Sequence, residues 1–141
     1  MTDRAVVLRK LTSIREHVAR IRRRRAVDLA VFKIDVDRQD ALGMSLLVAV
    51  QDALDVALHI AADEGWGVPA SYAESFGLLE GRGVIEPSLS SALARMATLR
   101  NRLAHGYATV DVERIWTEIP AGITALESFT GAIAAWLGRE A

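Results

Sequence analysis

Cysteine is absent from the 141-residue chain. That excludes a disulfide framework, a thiolate-ligated zinc or iron–sulfur site and a thiol nucleophile. It fits a reducing compartment, so a cytoplasmic location is the expectation. Histidine is scarce as well: only His17, His59 and His105 are present, and an all-histidine metal site within one chain would consume all three. Neither a metal nor a cofactor is expected. No apolar run approaches the roughly 20 residues of a membrane helix, so no membrane association is expected. The first ten residues carry charges throughout and lack the apolar stretch of a secretory signal. Gly65-Trp66-Gly67 and Gly81-Arg82-Gly83 match neither the P-loop nor the dinucleotide-binding spacing, and no G-x-S-x-G elbow exists.

What is present is ample material for a core. The chain is 51% hydrophobic and 25% charged, enough for one domain spanning residues 1–141. The period is helical nearly everywhere. Val7, Leu11, Ile14, Val18 and Ile21 recur with 4,3,4,3 spacing, one stripe of an amphipathic helix that Thr2 or Asp3 can cap. A short segment follows from Val27 to Ile34, and Asp35-Val36-Asp37 reads as a break or a new cap. Gln39 to Ala62 is apolar on most sides, which predicts a central buried helix stopped by Gly65. Ser71, with Glu74 three residues on, predicts a capping box for a short helix. Another helix opens at Pro87 or Ser88 and ends near Gly106, and Asp111 starts the last one, where Pro120 predicts a kink or a split. No alternating strand of useful length is found. The fold class is all-α, an antiparallel bundle of four to five main helices.

Charge is unevenly spread. Residues 1–25 hold nine basic residues against Asp3 and Glu16, a local +7 in a chain of net charge −1, so the other 116 residues sum to −8. The Arg22–Arg25 run reads either as an arm facing nucleic acid or as a helix face that pairs with acidic helices of the same fold.

One constellation suggests chemistry: Arg100-Asn101-Arg102-Leu103-Ala104-His105-Gly106-Tyr107. Arginine is a permanent cation whose planar fork fits a phosphate. Histidine exchanges protons near neutral pH. Together they suit metal-free cleavage of an RNA phosphodiester, in which the 2′-hydroxyl attacks the adjacent phosphate. In an unbroken helix Arg100 and Tyr107 share a face, whereas His105 lies about 140° round from Arg100. The two converge only if the helix ends near His105 or a second copy contributes, so a two-fold dimer is one solution. The same residues also fit a plain helix end, with His105 as a C-cap partner and Tyr107 as a packing ring.

Arg100-Asn101-X3-His105-X-Tyr107 resembles the RX4HXY signature of HEPN ribonucleases, specifically of HepT-like toxins. Further blocks resemble that family in the same order: Gln51 to Ile60, the Pro69-to-Leu79 connector with Gly83-Val84-Ile85, Met96-X3-Arg100-Asn101, and Asp111 opening the last helix. The likeness covers roughly residues 38–117. It implies a HEPN-type homodimer with the motif in the dimer cleft, and a metal-independent endoribonuclease acting as the toxin of a type VII-like HepT/MntA pair. Arg100 and His105 would be catalytic and Asn101 supporting. Tyr107 would be supporting too, and the residue that a cognate MntA-type nucleotidyltransferase antitoxin modifies with AMP. The alternative is a non-catalytic HEPN module that binds nucleotide or RNA, or serves as a scaffold, with Tyr107 as a partner's modification target.

Asp52, Asp55, His59 and Asp63 stand at i, i+3 and i+4 relations on one helix. They read either as a cation site or polar wall of the cleft, or as a half-buried stripe at a dimer interface. Asp55 and His59 are the second-tier candidates of this group. His17 is expected at the surface. Trp66, Trp116 and Trp136 are expected to pack rather than to stack bases.

Overall fold

The computed structural model describes residues 2–71, 73–106 and 111–140. Among them are six helices and no strand: α1 (Arg4–Arg25), α2 (Leu29–Ile34), α3 (Val36–Glu64), α4 (Ser75–Gly81), α5 (Pro87–Gly106) and α6 (Val112–Glu140). Four are long and two are short, as the periodicity predicts.

Asp3 caps α1, its Oδ1 accepting from the amides of Ala5 and Val6. The 4,3,4,3 stripe of α1 is buried throughout. α2 begins at Leu29, two residues later than the sequence suggests, and contributes the fully buried Phe32. Asp35 then caps α3 by accepting from the Arg38 amide at 3.0 Å. The Gln39 amide in turn donates to the carbonyls of Phe32 and Lys33, at 2.8 and 3.1 Å, and so closes the end of α2.

α3 is the central helix. Contrary to the sequence expectation, it is long and apolar enough to cross a bilayer by length and composition, but most of that stretch is buried inside the bundle. α1 lies antiparallel along it. At one end Thr2 Oγ1 donates to Glu64 and the Asp3 amide to Asp63; at the other, Arg38 donates to the carbonyls of Arg23 and Arg24. α6 runs antiparallel to α1 on its other flank, joined by Arg4 to the Leu137 carbonyl, Arg22 to Glu127 and Arg25 to the Trp116 carbonyl. α5 packs on α3 and α6, and α4 fills the angle between α3 and α5. The rings of Phe76 and Phe129 meet edge-on at 5.7 Å within this core.

Two local expectations are corrected. The Ser71 hydroxyl does accept from the Glu74 amide, but the helix starts at Ser75, and the Glu74 carboxylate reaches the Ala70 amide instead of closing a box on Ser71. Pro120 does not split the last helix, which is continuous from Val112 to Glu140. The missing N–H of Pro120 would have bonded the Trp116 carbonyl. Arg25 Nε supplies that donor at 2.9 Å, with its guanidinium 4.0 Å over the Trp116 ring.

Of the Arg22–Arg25 run, only Arg22 pairs with a carboxylate among the described residues. Arg24 bonds the Arg20 carbonyl, and Arg23 is exposed. Trp66 meets Trp136 edge-on at 5.8 Å, so the tryptophans pack as expected.

Candidate active site

α5 carries the motif. Pro87 occupies its first position, where a missing N–H costs nothing, and Leu93, Met96, Leu99 and Leu103 bury its inner side. That burial presents Arg100, half-buried, toward α3. Arg100 Nη2 donates to Gln51 Oε1 at 2.6 Å and Nη1 to Asn101 Oδ1 at 3.1 Å. Asn101 therefore supports the guanidinium directly.

Behind Arg100 a polar chain crosses the bundle. Gln51 Nε2 donates to Asp55 Oδ1 at 2.8 Å. Lys10 of α1 reaches Asp55 Oδ2 at 3.2 Å and Asp52 Oδ1 at 3.4 Å. The Ser13 hydroxyl donates to the other oxygen of the buried Asp52. The ammonium of Lys10 is pulled down by burial, but the hydrogen bond to Asp55 and the charges of Asp52 and Asp55 outweigh that and hold it above its ordinary value. Next along α1, the ring of His17 lies 2.8 Å from the Ser13 carbonyl through Nδ1. Arg20 approaches its Nε2 at 3.2 Å. Arginine only donates, so Nε2 accepts and the ring proton sits on Nδ1. His17 is half-buried, and its hydrogen bonds among the described residues stay within α1.

The acidic positions of α3 divide into two groups. Asp52 and Asp55 close on Lys10, whereas His59 pairs with Asp63 at 3.0 Å, and Asp63 also accepts from the Asp3 amide. Among the described residues no group of three or more His, Cys, Asp and Glu is arranged to hold a metal ion. Of the second-tier candidates, Asp55 joins the chain behind Arg100 and His59 faces its own partner one turn further on.

His105 is exposed in the last turn of α5. The helix is unbroken through Gly106, so His105 stays about 140° round from Arg100 on its own helix. Tyr107 lies outside the described residues. The site therefore offers a fixed cation for a phosphoryl group and an exposed imidazole for proton transfer.

Gln51 and Lys10 are the residues that spacing alone does not single out. Gln51 carries a faint signal, a polar side chain four residues before Asp55 on α3. Lys10 carries none, because its role depends on how α1 crosses α3.

Fold and motif together define a HEPN-type helical bundle. Residues 14–133 match the model of the ribonuclease HepT-like family, and the chain belongs to that family. It is 28% identical over 130 residues to the mRNA nuclease HepT of Shewanella oneidensis, covering 92% of this chain and 97% of that protein. Among solved structures it is similar to the chain of a toxin–antitoxin crystal structure with AMP-PNP, with a TM-score of 0.87, 27% identity and coverage of 93% of this chain and 98% of that one. It is also similar to a tri-AMPylated HEPN toxin of Shewanella oneidensis in complex with an MNT antitoxin, with a TM-score of 0.85, 28% identity and coverage of 96% and 99%.

Proposed function

We propose that this chain is a metal-independent endoribonuclease, the toxin of a HepT/MntA-like pair, acting as a cytoplasmic homodimer of single-domain chains. The observation that carries the reading is the half-buried guanidinium of Arg100, held between two amide oxygens on the helix that also bears the exposed His105. The 2′-hydroxyl of the RNA attacks the adjacent phosphorus, the bond to the 5′-oxygen breaks, and a 2′,3′-cyclic phosphate and a 5′-hydroxyl result. His105 takes the 2′-proton or protonates the leaving 5′-oxygen. Arg100 stabilises the negative charge gathering on the phosphoryl oxygens. Neither role requires a metal.

In-line cleavage uses both an acid and a base, and each chain offers one histidine at this motif. A two-fold dimer supplies the second and brings Arg100 of one copy toward His105 of the other. The relatives crystallised with an antitoxin, one of them AMPylated, support an MntA-type nucleotidyltransferase partner that adds AMP to Tyr107. A phosphate-bearing adduct two residues from His105 would occupy the charge and space that RNA needs.

The test is cleavage of RNA in excess chelator by the chain made without its partner, beside Arg100→Ala and His105→Ala. Cleavage by the wild type alone, leaving a cyclic phosphate, is the expected result. Equal cleavage by all three sinks the assignment, and a 3′-hydroxyl product sinks the mechanism. An unmodified chain that binds RNA without cutting it is a binding module.

A further inference from the structure

We infer that Gln51 is the positioning residue of Arg100, and that Lys10 is the counter-charge that lets it act as one; this rests on the nuclease reading above. Gln51 uses both ends of its amide. The oxygen accepts from Arg100 at 2.6 Å and the nitrogen donates to Asp55 at 2.8 Å. A glutamine bonded at both ends cannot turn over without losing both contacts, so its oxygen is fixed toward the guanidinium.

The chemistry of the residue type matters as much as its geometry. Asp55 and the buried Asp52 lie four residues and one residue along α3 from Gln51. A carboxylate moved to position 51 would neutralise the guanidinium that has to meet a phosphate. A neutral amide holds the fork in place without itself setting a negative charge against it. It also stands between Arg100 and Asp55. Lys10 completes the arrangement from α1 by spanning Asp52 and Asp55 at 3.4 and 3.2 Å. Without the ammonium, two carboxylates on one helix face would repel each other and compete for Arg100.

The experiment uses the full-length chain in three variants, Gln51→Met, Gln51→Glu and Lys10→Met, and two readouts. The first is steady-state cleavage of a short RNA oligonucleotide. The second is the guanidinium N–H signal of Arg100 in nitrogen-15 NMR, identified by its loss in Arg100→Ala. Gln51→Met keeps the length of the side chain and removes its polarity; kcat is expected to fall on the order of tenfold from the displaced guanidinium, with KM and melting temperature little changed. Gln51→Glu should cost at least as much and raise KM, because it places a negative charge where the phosphate arrives. The Arg100 signal should move in both, and in Lys10→Met. An Arg100 signal or a kcat unchanged by Gln51→Met overturns the proposal. If the signal moves but the wild type cuts no RNA, the positioning stands and the nuclease reading falls.

Discussion

Arg25 donates its Nε–H to the carbonyl of Trp116 at 2.9 Å and lays its guanidinium 4.0 Å above the same residue's ring. The carbonyl is available because Pro120, four residues on, has no N–H to give it. Removing Arg25 therefore leaves an orphan acceptor and an uncovered indole. Arg25→Ala is expected to destabilise the fold by about 2 kcal/mol, from a charge-assisted hydrogen bond and a cation–π contact. In a Pro120→Ala background the helix supplies its own donor, so the same substitution should cost clearly less. Urea denaturation of the four proteins of this cycle measures the difference, and equal costs would refute the compensation.

Gly65 ends α3 in the left-handed region, at φ +70°, and a Cβ there would meet nothing within 4 Å. The cost of a side chain is then conformational rather than steric. Gly65→Ala should lower stability by about 1 kcal/mol and Gly65→Asn by less. Thermal melts resolve the order; an alanine variant as stable as the wild type would contradict it.

Lys10 contributes stability through a pKa raised by its two aspartates. A cation held above its unfolded value stabilises the fold fully below that value, about 10.4, and loses the contribution as pH rises through the folded one. Lys10→Met should therefore be less stable than the wild type at neutral pH. The gap should close above the ordinary lysine range. Denaturant midpoints at neutral and strongly alkaline pH test it, and a gap that stays constant would be the contrary result.

The unbroken path of α5 from Arg100 to Gly106 makes a prediction about mixtures. If Arg100 meets His105 of a second copy, Arg100→Ala and His105→Ala are each inactive alone. Unfolded together and refolded as mixed dimers, they should regain part of the RNA cleavage, since one pairing keeps an Arg100 with a His105 while water replaces the missing second histidine. A motif working within one chain regains nothing.

The parts legible in the sequence are those governed by local rules. The α1 stripe, the Gly65 stop, the Asp3, Asp35 and Asp111 caps and the motif itself follow from spacing and residue type. The rest is decided by distant partners. Pro120 promised a kink or a split; α6 is not split, and the Trp116 carbonyl that Pro120 orphans is met by an arginine 91 residues before it. Ser71 promised a helix start, yet α4 begins four residues later. Asp52 and Asp55 read as a possible cation site until α1 brings Lys10 between them, and nothing near Lys10 in sequence announces it.

The three side-chain bonds that hold α1 to α6 join residues 133, 105 and 91 positions apart. α1 therefore gains its last contacts only after α6 has been made. Lys10 rides on α1, and with it the electrostatic setting behind Arg100. Its bonds to Asp52 and Asp55 lie within the first 55 residues, so that setting can form before Arg100 is made, and the bonds to α6 lock α1 in place afterwards.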